Sequence, residues 1–221
     1  MGSITRSLAN NITTSGVILP AGITNASVSA VTSFANASAG TLILLSTQTA
    51  SASATISFTT GLDSTYDEYQ FHFINIHPAT DGRDFAFQVS TNGGSSYGVT
   101  QTNTQFRAYH DEADTNTNLL YNGAGDVAQT TDLTLLTAEI AVGNGSDECC
   151  VGVLQLFNPS STTYVKHYIS VNQTYNPNNY SANNFVAGYF NTTSAINAIQ
   201  FKFDSGNIDD GIIKMYGVKK S

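Results

Sequence analysis

The chain has 221 residues, of which 41% are hydrophobic and only 11% charged, and its formal net charge is −8. With eight Lys and Arg against sixteen Asp and Glu, it lacks the clustered cations that displace counterions from a phosphate backbone, so no nucleic-acid partner is expected. The length suits one all-β domain with or without a short arm, and Ser, Thr, Asn and Gly beside 11 Tyr and 12 Phe make a weakly charged β protein.

Residues 1–40 read as an arm. Small polar residues dominate, and apolar ones are sparse at Ile4, Leu8, Ile12, Val17, Ile23, Val28, Val31 and Phe34. Ile4, Leu8 and Ile12 would share one helical face, yet the surrounding Ser, Thr and Asn are poor helix formers. So little apolar area cannot fold alone. The arm is therefore expected to pack on a neighbouring copy or a larger assembly, through Ile4, Leu8, Ile12 and Val17; the alternative is an arm folded back on its own domain.

From residue 41 onward the pattern is strand after strand. Residues 41–46 are a short apolar run, and 52–59 alternate into Ile56 and Phe58 before Gly61 and Asp63 turn the chain. Tyr69, Phe71 and Phe73 alternate with Gln70, His72 and Ile74, and Phe85, Phe87 and Val89 with Ala86, Gln88 and Ser90, the period of strands with one buried face. Pro78 with Asp81-Gly82 separates these runs, and Asn92-Gly93-Gly94 predicts a hairpin into a third strand over 97–109. Residues 110–130 read as one long polar connection, a length that is usually functional or contact-making. Further strands are predicted over 132–142, 150–157, 163–171, 185–190, 196–203 and 211–218, and Asp209-Asp210-Gly211 reads as a turn. No helix is expected in this half. Ten or eleven short strands with turns between them predict an antiparallel two-sheet β-sandwich of jelly-roll type over 41–221.

Cys149 and Cys150 are adjacent, so no disulfide scaffold is expected, and the ligands of a structural zinc are lacking. No basic-then-apolar signal opens the chain and no apolar run reaches the length of a bilayer span, which predicts synthesis in a cytoplasm and no membrane insertion. Asn-x-Ser/Thr triplets, as at Asn11 and Asn172, follow from the composition and need not be glycosylation sites. Lys202, Lys214, Lys219 and Lys220 near the end read as solvating an edge strand.

Two regions offer ligand chemistry. His110, Asp111, Glu112 and Asp114 are the densest titratable group, suited to a cation or to acid–base work, with a solvated acidic loop as the ordinary reading. His77 and Asp81-Gly82-Arg83-Asp84 would join them if the loops share one end of the sandwich. The second region is a loop over 172–190, where Tyr175 and Tyr180, with Asn178 and neighbouring Asn residues, offer ring faces and amides to a glycan or a protein. The wider aromatic set includes Tyr164, Tyr168 and Tyr189. No nucleophile elbow, phosphate loop or zinc-protease helix occurs, so no catalytic residues, metal or cofactor are expected. Ser90-Thr-Asn-Gly-Gly-Ser-Ser-Tyr97 resembles the Ser-x-Asp-x-Gly-x-Thr-Trp motif of sialidase-type propeller blades, but a single divergent copy reads as a turn.

Ile-Thr-Arg-Ser-Leu-Ala-Asn-Asn-Ile-Thr-Thr at the start, the block from Leu44 to Tyr69, Asn-Ile-His-Pro-Ala-Thr-Asp-Gly and the terminal Ile-Lys-Met-Tyr-Gly-Val-Lys-Lys resemble small virion proteins of marine tailed phages, those of cyanobacteria and of ocean heterotrophs. That resemblance spans most of the chain and carries no catalytic residues. It implies a non-enzymatic virion surface protein made in the host cytoplasm: a trimeric short fibre or adhesin touching a host glycan, with tail or capsid proteins as partners. The alternatives are a capsid decoration protein whose arm lies on capsomers and, further off, a polysaccharide depolymerase.

Overall fold

The structure, a computed structural model, describes residues 41–219 together with Ile12–Thr13 and Gly16–Val17. The chain divides into residues 1–39 and 40–221. In the first unit, β1 (Ile12–Thr13) and β2 (Gly16–Val17) pair antiparallel, with Ile12 opposite Val17. Ile4, Leu8 and the side chains of Ile12 and Val17 lie outside the described residues.

The second unit holds β3 (Leu42–Ser53), β4 (Ile56–Phe58), β5 (Glu68–Pro78), β6 (Phe85–Ser90), β7 (Gln101–Asp111), β8 (Thr117–Tyr121) and β9 (Ala128–Thr130), followed by β10 (Thr134–Leu135), β11 (Cys150–Phe157), β12 (Lys166–Tyr175), β13 (Tyr180–Phe190), β14 (Ala198–Phe203) and β15 (Ile208–Val218). Among the described residues there is no helix. Two antiparallel sheets form a β-sandwich: a four-stranded sheet in the order β10-β6-β14-β4, and a nine-stranded one in the order β3-β15-β5-β11-β12-β13-β7-β8, with β9 also on β7.

Several expectations need correction. The runs now seen as β5, β6 and β7 are not neighbours, because β6 lies in the small sheet while β5 and β7 lie in the large one with β11, β12 and β13 between them. The Asn92-Gly93-Gly94 turn therefore carries the chain from one sheet to the other. Its folding is local: Ser90 Oγ accepts from the Asn92 and Gly94 amides, and Asn92 Oδ1 from the Ser96 amide. Residues 110–130 contain β8 and β9 and are no single loop, while the strand predicted over 132–142 reduces to β10 and one bridge, Arg83 to Val142. The supposed 172–190 loop is mostly the β12–β13 ladder, which runs from Lys166 opposite Phe190 to Tyr175 opposite Ser181. Asp209 to Gly211 lies within β15, where the pairing with β5 is irregular and Gly211 has φ of 130°. Lys202 and Lys214 sit on β14 and β15, which are interior strands.

The two sheets meet through rings. Phe201 of β14 packs 5.2 to 5.3 Å from Phe73 and Phe71 of β5, and Phe87 of β6 meets Tyr168 edge-on at 5.2 Å. Beyond these rings, the inner face of β7, β12 and β13 is polar: Gln101, Asn103, Gln105, Arg107, Ser170, Asn172, Thr174 and Asn184 are all buried. The chain from Asn122 to Val142, irregular apart from the short β9 and β10, lies against this face. Its carbonyls have few ladder partners, and buried carbonyls demand donors. Side-chain amides supply them: Gln101 donates to Asp132, Gln105 to Gly125 and Leu135, Asn172 to Leu136, and Asn176 to Ala141. The approach is close enough that a Cβ on Gly125 would stand 2.4 Å from Gln105 Oε1.

Candidate functional site

Four connections converge at one end of the sandwich, held by a chain of hydrogen bonds. Asp81 Oδ1 accepts from the Asn144 amide, and the Gly143 amide donates to the Tyr175 carbonyl. The Tyr175 hydroxyl donates to Glu112 Oε1 at 3.1 Å, and the Glu112 amide to the Asn179 carbonyl at 3.0 Å. The structure thus brings the β7–β8 turn, carrying Glu112 and Asp114, beside the β12–β13 turn with Tyr175, Asn178 and Tyr180. Tyr180 stands opposite Asp111 and Ser181 opposite His110 in the ladder.

Within this group the residues differ in freedom. The Asp111 carboxylate is occupied by its own turn, accepting from the Thr115 and Asn116 amides at 2.8 Å each and from the Thr115 hydroxyl. Those donors, the Thr115 hydroxyl foremost, hold its pKa down at about 2. Asp111 is a folding residue. His110 Nε2 lies 3.1 Å from Asp114 Oδ1 on the exposed surface. Glu112 raises the Tyr175 pKa through the hydroxyl it shares. Among the described residues no three His, Cys, Asp or Glu side chains are placed to hold a metal ion. Of the wider aromatic set, Tyr168 is buried in the core and Tyr164 is exposed.

Besides a pocket of about 300 Å³ lined by Glu112, Val151, Gln173, Tyr175 and Ser181, two further cavities open here. A cleft of about 540 Å³ is lined by Asn75, His77, Asp147, Glu148, Asp209 and Asp210. His77 is tied there, Nε2 to the Gly145 carbonyl at 3.1 Å and Nδ1 at 3.8 Å from Asp209. The second, of about 220 Å³, is lined by Arg107, Tyr109, Glu139, Ile140, Asn176, Asn178 and Tyr180. Arg107 forms an ion pair with Glu139 through Nη1, while its buried Nε has no hydrogen-bond partner among the described residues. Glu139 holds a positive φ of 67°, uncommon for a residue with a side chain. The Tyr109 and Tyr180 rings stand 5.5 Å apart at 79°.

Sequence reasoning missed Arg107, Tyr109 and Glu139. A signal existed: Gln101, Asn103, Gln105 and Arg107 repeat a polar residue at every second position. It also missed the outward face of the large sheet. Tyr121, Phe106, Phe185, Val171 and Val153 follow one another in register across β8, β7, β13, β12 and β11. Phe106 and Phe185 stack at 4.6 Å and 6°. The outward positions of these strands, such as Thr104, Ala187, Ile169 and Gln155, include no Asp, Glu, Lys or Arg.

No family model, curated protein or solved structure matches the chain.

Proposed function

We propose that this chain is a non-enzymatic structural protein on the surface of a tailed-phage virion, most simply a trimeric short fibre or adhesin that touches a host glycan with one end of its β-sandwich. The observation that carries the contact role is the convergence of the β7–β8 and β12–β13 turns, which sets exposed His110, Glu112 and Asn178 beside Tyr175 on a hydrogen-bonded frame. Such placement of polar and aromatic groups on rigid strand ends is how sandwiches recognise ligands. The virion setting rests on the sequence resemblance. A glycan array of the intact chain, with immunogold labelling of virions, tests the reading. Binding that is lost in Tyr175→Ala and label confined to the tail are expected; an array with no signal removes the adhesion role, and release of reducing ends from host polysaccharide overturns the non-enzymatic one.

Capsid decoration is the second reading, supported by the uncharged outward face around Phe106, where the Phe106 side is 46% and Ile169 45% exposed. Copies with a charge of −8 each repel least where that face lies, and an apolar patch of this kind commonly marks a protein contact. It equally supports self-association into the trimer. Light scattering of Phe106→Lys and Val171→Lys separates the two: a lower mass than wild type assigns the face to self-association, and an unchanged mass with label over the capsid faces favours decoration.

A further inference from the structure

We propose that the cavity floored by Arg107 and walled by Tyr109 and Tyr180 binds one neutral pyranose residue of a glycan. This deepens the adhesin reading above and rests on it. The first ground is unmet hydrogen bonding. Arg107 is 7% exposed, lines the cavity, and has an Nε with no partner among the described residues. Buried polar groups are almost always satisfied, so a buried Arg107 with an unpartnered donor in the cavity lining points to a polar occupant.

Charge narrows the class. Arg107 is already neutralised by Glu139, so a carboxylate or sulfate ligand meets an acceptor as well as a donor and gains little. A cation meets the guanidinium. Sugar hydroxyls, which both donate and accept, suit a floor that offers Arg107 as donor and Glu139 as acceptor. The rings narrow it further: two tyrosines 5.5 Å apart at 79° give one apolar face for the C–H side of a pyranose and one phenolic edge for its hydroxyls. At about 220 Å³ the cavity falls below the roughly 300–1,000 Å³ of larger ligand sites, which suits a single ring. Asn178, on the exposed turn, stands at the rim.

The test titrates the intact chain with the methyl glycosides of D-glucose, D-galactose and D-mannose, and with methyl D-glucuronide, following the Arg107 Nε–Hε signal by NMR. At least one neutral glycoside is expected to shift that signal saturably, the glucuronide to bind more weakly, and Tyr180→Ala to weaken binding tenfold or more. Asn178→Trp, a change on the exposed turn, blocks the mouth and serves as the second variant should Tyr180→Ala fold poorly. A signal that no neutral glycoside moves, tighter binding of the glucuronide, or wild-type affinity in both variants overturns the proposal. If the wild-type chain binds glycans on the array while both variants bind equally well, only the cavity is wrong; if the wild type binds none, the adhesin reading itself fails.

Discussion

The hydroxyl of Tyr175 donates to Glu112 Oε1 at 3.1 Å, tying together two turns separated by 63 positions in the chain. Each turn also has its own frame: Asp111 folds the first, and Asn176 Oδ1, accepting from the Asn178 amide at 2.7 Å, folds the second. The contact therefore orients the two surfaces without holding the fold together. Tyr175→Phe is expected to leave Tm within about 2 °C of wild type, as surface changes commonly do, while glycan binding weakens. A thermal melt beside the array checks both halves.

Asn172 is the contrasting case. Its Nδ2 reaches the Leu136 carbonyl at 3.3 Å and the Ser170 hydroxyl at 2.9 Å, wholly inside the sandwich. Asn172→Leu leaves that carbonyl buried without its donor, a loss of about 1–3 kcal/mol. Urea unfolding measures it, and proteolysis within residues 122–142 should accelerate in parallel, since these amides hold that segment.

Phe201 is fully buried and lies within 6.3 Å, centroid to centroid, of Phe58, Phe71, Phe73, Phe85 and Phe87. Phe201→Ala opens a cavity between the sheets and should lower stability by about 3–5 kcal/mol. Phe106→Ala, on the outward face, should cost under about 1 kcal/mol in the monomer. Guanidinium unfolding of both variants compares an inner ring with an outer one.

Asp84 gives the pH dependence. Burial, reinforced by the nearby Asp204 carboxylate, pushes its pKa up to about 7. A folded-state pKa above the unfolded one means that the protonated carboxyl stabilises fully below about pH 4, and that this contribution is lost as pH rises through about 7. Asp84→Asn should therefore match wild type near pH 4 and exceed it at pH 8, by on the order of 2–4 kcal/mol. Unfolding curves at both values test it; equal stabilities at pH 8 would contradict the burial.

The sequence by itself determined the strands whose apolar face is turned inward. Tyr69, Phe71 and Phe73, or Phe85, Phe87 and Val89, alternate because neighbouring residues on a strand point to opposite sides, a purely local rule. The bounds 150–157 were legible to the residue, but as an apolar run between turn signals, since Val151 and Val153 do not alternate with polar neighbours. Tertiary structure alone decided which sheet each strand joins: β5, β6 and β7 follow one another in the chain, yet β6 crosses to the small sheet, since pairing depends on partners as remote as Phe201. It also reversed the usual pattern on β12, where Ser170 and Asn172 are buried while Ile169 and Val171 face outward. What covers that inner face is irregular backbone, and its carbonyls need amide donors more than apolar cover. The cavity at Arg107 has the same origin, because Tyr109, Glu139 and Tyr180 come together only when β7, the segment after β10 and β13 are folded against one another.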